Sequence, residues 1–262
     1  MSFKKTLASI VLSGAIALGV GGKAKADYFE NFSSPTALNG WATGNNSTLE
    51  QTTFEGDGVL KFRASYDGPS VQIEYKGRPF QLNWDFYIEG YENMSETDWP
   101  NDWALPSFGI VGQNQQIFGG WEHILGGWDQ PRLDIMHEGG INSAVQSGLP
   151  NFIGKWFHFE LNYDGDKVGM QIYNGKTNSL QGPFSIYLSL DAPDLINLDR
   201  LKLRGHNLDE QWNSKVIVDG YLDNVSFTEV PEPTTLGLLT LGATALTLRK
   251  REKLDKSIRR KK

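Results

Sequence analysis

Residues Trp156 to Tyr163, WFHFELNY, alternate between two chemically distinct sets. Phe157, Phe159, Leu161 and Tyr163 fall on one side of an extended chain, and Trp156, His158, Glu160 and Asn162 fall on the other. A period of two suits a strand with one buried face, and a helix would scatter the same residues around its circumference. The run ends in Tyr163-Asp164-Gly165-Asp166-Lys167, where Asp-Gly can take the positive φ of a hairpin turn. Asn174-Gly175 is a second hairpin signal.

Elsewhere Gly, Asn and Asp bound short runs rich in aromatic and β-branched residues. They predict strands at Phe29–Phe32, Thr48–Phe54, Val59–Ala64, Val71–Tyr75, Leu82–Ile88, Ser107–Val111, Gln116–Trp121 and Arg132–His137. After Trp156–Tyr163 come Val168–Tyr173, Phe184–Leu190, Leu198–Arg204, Val216–Val218 and Tyr221–Glu229. Long loops are expected at Glu89–Leu105 and Asn142–Gly154, and no helical period of any length is visible. About fourteen short strands without an internal boundary predict one all-β domain, residues 27–229, built as a two-sheet sandwich.

Both ends read as addresses. Lys4 and Lys5 precede an apolar stretch from Leu7 to Val20, and Ala24-Lys25-Ala26 offers an A-x-A cleavage site, so residues 1–26 have the order of a secretory signal peptide. At the other end Val230-Pro231-Glu232-Pro233 leads into an apolar run, Leu236 to Leu248, stopped by Arg249-Lys250-Arg251. Thirteen residues reach only about 20 Å as a helix, against roughly 30 Å of hydrocarbon, which fits a short, transient anchor. The cationic stop would stay on the cytoplasmic side. VPEP, apolar segment and basic tail over residues 230–262 together resemble the PEP-CTERM sorting signal of bacterial envelope proteins. That resemblance implies recognition of Pro231, Glu232 and Pro233 by an exosortase, processing at the inner membrane, and an exported fate in the envelope or extracellular matrix.

The addresses distort the charge. Thirteen of the 25 basic residues lie before Asp27 or after Leu248, with two of the 31 acidic ones. The middle therefore holds 12 basic and 29 acidic residues, a formal −17 that the whole-chain −6 conceals. Such a domain repels nucleic acid and anionic lipid, which excludes nucleic acid as its partner. Cysteine is absent, which removes thiol catalysis and Cys-zinc sites. A domain of about 200 residues can bury enough surface to fold without disulfides.

A second resemblance covers GKWFHFELNYDGDKVGMQIYNG, which looks like the paired strands of laminin-G-like and concanavalin A-like jelly rolls. The opening YFENF…LNGW and closing VDGYLDNVSF resemble the first and last strands of carbohydrate-associated members. Arg132-Leu133-Asp134-Ile135-Met136-His137-Glu138 is similar to the E-[I/L]-D-x-x-E strand of family-16 glycoside hydrolases, which share the fold. There two carboxylates about 5–5.5 Å apart perform retaining cleavage. Here Arg132 stands at the nucleophile position and His137 at the acid/base position, while Glu138 comes one residue late. Arginine has no acid/base capacity, so the motif is degenerate and a non-enzymatic protein is expected. The alternative is a strand whose Leu133, Ile135 and His137 simply share an interior face. His123, His158 and His206 are isolated, with no metal-ligand spacing, and no G-x-S-x-G elbow occurs.

Trp99 and Trp103 flank Pro100-Asn101-Asp102, and Trp121 and Trp128 bracket Glu122–Gly127. Stacking faces beside Asp98, Asp102 and neighbouring amides have the chemistry to bind an extracellular polysaccharide; the same indoles could instead fill a sandwich core. Trp41, Trp84, Trp156 and Trp212 read as packing residues. Many jelly rolls carry a structural calcium between first and last strands, for which Glu30 and Asp223 are candidate ligands. The expectation is an exported, polysaccharide-binding envelope protein, with a jelly-roll glycoside hydrolase and a purely structural surface protein as alternatives.

Overall fold

The computed structural model describes residues 28–44, 47–65, 68–95, 103–125, 129–138, 140–146, 152–177, 186–192, 195, 197–205 and 216–230. Residues 26–229 form one compact unit, and every regular element among the described residues is a strand. In chain order these are β1 (Tyr28–Glu30), β2 (Trp41–Ala42), β3 (Thr48–Phe54), β4 (Asp57–Ala64), β5 (Ser70–Gln72) and β6 (Phe80–Glu92). Next come β7 (Trp103–Ala104), β8 (Ser107–Gly112), β9 (Gln116–Ile124), β10 (Asp129–His137), β11 (Gly140–Val145) and β12 (Trp156–Tyr163). The last are β13 (Lys167–Asn174), β14 (Ile186–Asp191), β15 (Leu198–Arg204) and β16 (Ile217–Glu229). One antiparallel sheet runs β14-β13-β12-β6-β16-β4-β3, with β1 also on β16. The other runs β11-β10-β9-β8-β15-β5-β2, with β7 on β9.

Alternation decides which faces meet. From β6 the residues Phe80, Leu82, Trp84, Phe86 and Ile88 point inward, joined by Phe157, Phe159 and Leu161 of β12. The second sheet answers with Phe108, Ile110, Ile117, Trp121, Leu133 and Ile135. Trp84 stacks on Phe159 within its sheet and meets Phe108 of the other at 5.5 Å between ring centroids. Burying each such ring contributes roughly 1.5–3 kcal/mol. Space between the sheets is tight at Gly119, where a Cβ would stand 2.3 Å from Met170 Sδ and 3.1 Å from Trp84.

The Asp164-Gly165 turn forms as its sequence indicates. Gly165 has φ 109°, and Asp164 Oδ1 accepts from the N–H groups of Asp166 and Lys167 at 2.9 and 2.7 Å. Asn174-Gly175 behaves differently. Gly175 takes φ 96°, but its N–H bonds Trp156 O, and Lys176 and Thr177 run back against the outer face of the first sheet. Side-chain anchors on Asp85 and Asp223 thus replace the expected tight hairpin. The expected loop at Glu89–Leu105 is shortened at both ends, because β6 extends to Glu92 and β7 covers Trp103–Ala104. The Asn142–Gly154 loop likewise loses its start to β11, an exposed edge strand without the alternation that marks a buried face. The two runs expected at Val216–Val218 and Tyr221–Glu229 are one strand, bent by irregularities at Asp219/Gly220 and Asp223/Ser226.

The sandwich begins and ends on the same strand pair. Tyr28 of β1 lies opposite Phe227 of β16, and β16 is itself flanked by β6 along its other edge.

Candidate functional site

The strand with the degenerate hydrolase motif, β10, keeps a regular register on both neighbours. Leu133 and Ile135 are therefore core residues, while Arg132 and Asp134 project from the outer face of the second sheet. His137 falls in the opposite phase to that pair. Glu138 lies beyond the strand, exposed, accepting from Asn114 Nδ2 at 2.5 Å.

Arg132 organises this face. Its Nε donates to Asp134 Oδ1 at 2.8 Å, Nη1 to Glu122 Oε1 at 3.1 Å, and Nη2 to Ser143 Oγ at 3.1 Å. The guanidinium also lies 5.5 Å from the ring centroid of Trp103. The Ser143 hydroxyl donates to Asp134 Oδ1 at 2.6 Å, and Gln130 Nε2 donates to Glu122 Oε2 at 2.6 Å. The second oxygen of Asp134 takes Arg204 Nη2 at 3.0 Å. Arg204 in turn lies over Phe118 and donates to Ser107 Oγ. Burial alone would raise the Asp134 pKa, but Arg204 and Arg132 hold it below the usual carboxylate value. The carboxyl that matches the motif is thus held toward its anionic form. Glu122 is tied to the same guanidinium.

Of the residues that sequence singled out for sugar contact, Trp103 is brought here, half-buried at the rim of the network. Trp121 is not. It is 1 % exposed, stacked on Phe152 and edge-on to Phe157 and Phe159, because its position in β9 faces the core. Its place among the ligand-binding candidates is corrected to core packing. Trp99, Trp128, Asp98 and Asp102 lie outside the described residues, as do His206, Trp212, residues 1–26, where a signal peptide is expected, and the sorting-signal residues Pro231, Glu232, Pro233, Arg249, Lys250 and Arg251.

The outer face of the first sheet carries a second polar network. Asp85, fully buried, accepts from His158 Nδ1 at 2.8 Å, from the Thr177 N–H and hydroxyl, and from Asn224 Nδ2 at 2.7 Å. Burial would depress the imidazole, but bonds to Asp85 and Glu160 outweigh it and raise His158 to about 9. Lys176 Nζ bridges Asp223 at 2.6 Å and Asp57 at 2.9 Å. His123, the other described histidine on a strand interior, pairs with Asp129 and stacks on Tyr91.

The proposed calcium ligands do not converge. Glu30 pairs with Val225 on the core-facing side and caps the Phe32 N–H, whereas Asp223 pairs with Asp85 on the outer side. An ammonium neutralises Asp223, and no cluster of three or more His, Asp or Glu suited to a metal occurs among the described residues.

Sequence reasoning missed Arg204, Gln130 and Ser143 of this site. For Arg204 a signal existed: in LDRLKLR the basic residues Arg200, Lys202 and Arg204 recur at period two opposite Leu201 and Leu203.

Comparison with known proteins agrees with both halves of the chain. A PEP-CTERM protein-sorting motif matches residues 229–251. No curated protein matches the chain. Among solved structures, the T. cruzi calreticulin globular domain is similar with TM-score 0.50 at 8% identity, covering 88% of this chain and 98% of that one. The alginate lyase from Klebsiella pneumoniae gives 0.51 at 9% identity, over 74% and 88%. A functionally unknown protein from Saccharomyces cerevisiae gives 0.51 at 10% identity, over 73% and 96%. At such identities the likeness is one of fold. The chain is a jelly-roll β-sandwich that carries a PEP-CTERM sorting motif, and the motif marks it as an exported, envelope-associated protein.

Proposed function

We propose that the exported sandwich binds extracellular polysaccharide without cleaving it, at the rim of the second sheet around Trp103 and Arg132, after processing by an exosortase at the inner membrane. The observation that carries this reading is the Trp103–Arg132 pair, an indole held beside a guanidinium that is fixed by bonds to Glu122, Asp134 and Ser143. Such a rim offers a stacking face with fixed polar neighbours, the usual composition of a sugar site. The same arrangement supports a non-catalytic role. Retaining hydrolysis needs one carboxyl that can hold a proton, and Arg204 and Arg132 hold the Asp134 carboxyl below its usual value instead.

A glycan array probed with the full chain and with Trp103→Ala tests the reading. Binding to at least one polysaccharide, reduced by the substitution with an unchanged melting temperature, is expected. Release of reducing ends from a bound glycan would replace the reading with the hydrolase alternative. No binding to any glycan would leave a purely structural surface protein.

A further inference from the structure

A pocket of about 280 Å³ opens on the outer face of the first sheet, where the β3–β4 turn meets the start of β12 and the end of β13. It has an aromatic wall that the core does not use. Phe54, Val59, Tyr87, Trp156 and Tyr221 form a separate cluster on this outward side, with Phe54 stacked on Tyr221 at 4.2 Å and Tyr87 set 5.5 Å from Trp156. Tyr87 and Trp156 line the cavity.

The β3–β4 turn is unusual for its residue. Glu55 and Gly56 take φ 54° and 93° between the directly paired Phe54 and Asp57, as a two-residue turn with both central residues at positive φ requires. Asn, Asp or Gly occupy the first of these positions at lower cost than glutamate. The glutamate reaches across to accept from Trp156 Nε1 at 3.0 Å and lines the pocket. A backbone penalty retained beside a cavity points to a role for the side chain.

The remaining lining is polar and mixed in charge. Lys176 Nζ stands 4.6 Å from the Trp156 ring, already neutralised by Asp223 and Asp57. Lys155 is exposed and meets no carboxylate among the described residues, and Asn174 stands on the same rim. Gly154 and Gly175, both at positive φ, leave bare backbone at the mouth.

We infer that this pocket is a saccharide site for one neutral pyranose unit of a glycan. The aromatic wall offers ring surface to the C–H groups of the sugar, and Glu55, Asn174 and Lys155 supply an acceptor, an amide and a donor for its hydroxyls. The volume suits a single ring, near the lower limit of about 300 Å³ for small-molecule pockets. Neutrality follows from charge: Glu55, Asp57 and Asp223 outnumber Lys155 and Lys176 here, and the domain as a whole carries −17. The site lies on the sheet opposite Trp103 and stands or falls independently of that reading.

Calorimetric titration of the full chain in detergent micelles, with hexamers of neutral β-glucan, α-glucan and mannan and with an alginate hexamer, tests the assignment. At least one neutral hexamer should bind, and Lys155→Ala with Asn174→Ala should weaken it about tenfold. Trp156→Ala endangers the fold, so the decisive variant is Glu55→Asn. Asn-Gly is the preferred pair for this turn, which offsets the loss of the Glu55–Trp156 bond, so the melting temperature should change little while affinity for the sugar falls. Absence of binding by every neutral hexamer overturns the inference, as does undiminished binding by both variants or a preference for alginate. Loss of all binding in Trp103→Ala alone would overturn it too, while leaving the second-sheet reading intact.

Discussion

His158 and Asp85 occupy directly paired positions on β12 and β6, with Nδ1 and Oδ1 2.8 Å apart on the outer face of the first sheet. The pair fastens Thr177 to the sheet through the same carboxylate, so it holds the chain segment leaving β13.

Its pH dependence has a definite sign. The folded imidazole titrates at about 9 against an ordinary 6.5, so its stabilisation is complete below pH 6.5 and is lost as pH rises through 9. Glu160, held below its usual value by bonds from His158 that outweigh burial, acts in the opposite direction and loses its contribution in acid. Urea unfolding should show stability falling by roughly 3 kcal/mol between pH 6.5 and 9. His158→Gln should flatten that slope; an equally steep profile in the variant would assign it to other groups.

Asp134→Asn should be costly. It strips the carboxylate from Arg204, which is 3 % exposed, and removes one of the two acidic partners of Arg132. Breaking such a buried pair costs about 3–5 kcal/mol. The exposed pair Arg200–Asp199 provides the contrast, with Asp199→Asn expected to cost under about 1 kcal/mol. Denaturation midpoints of the two variants measured side by side check the difference.

Gly119→Ala should destabilise by about 1–3 kcal/mol, because the new methyl meets Met170 Sδ and the Trp84 ring between the sheets. Met170 is the more adaptable neighbour, so Met170→Ala combined with Gly119→Ala should cost less than the two single effects added. Additive costs in a double-mutant cycle would show that the glycine is needed for another reason.

Processing is read most directly by mass. The sorting motif at residues 229–251 leads us to expect mature protein from its native host without the residues after Leu248. Intact mass spectrometry that finds Lys262 still attached would refute this.

Thr48–Phe54, Trp156–Tyr163 and Leu198–Arg204 have in the fold the bounds that the sequence predicts for them. In Trp156–Tyr163 alternation marks the core side, yet Trp156 and His158 of the other side are buried too, because Lys176 and Thr177 run against that face. Short β2 and β7 carry too few residues for a period, and β11 is exposed on nearly every residue, so neither face marks it. The Arg132 network escaped for another reason. Its members come from β9, β10, β11 and β15, and only the sheet order brings them together. Composition could flag Trp121 as an interesting indole, but only its register opposite Pro131, one step out of phase with Arg132, turns it to the core.

The placement of β16 bears on how the protein carries force. The sorting motif follows directly from this strand, which lies inside its sheet with β6 along one edge and β4 and β1 along the other. A pull on that end, resisted by a glycan held elsewhere on the sandwich, would load the hydrogen-bonded rungs of β16 together, in shear. An edge strand under the same tension would be held by rungs along one side only. Tension between the two ends of the sandwich follows the opposite course. It falls first on the Tyr28–Phe227 rung and peels the three residues of β1 before it reaches the body of the fold.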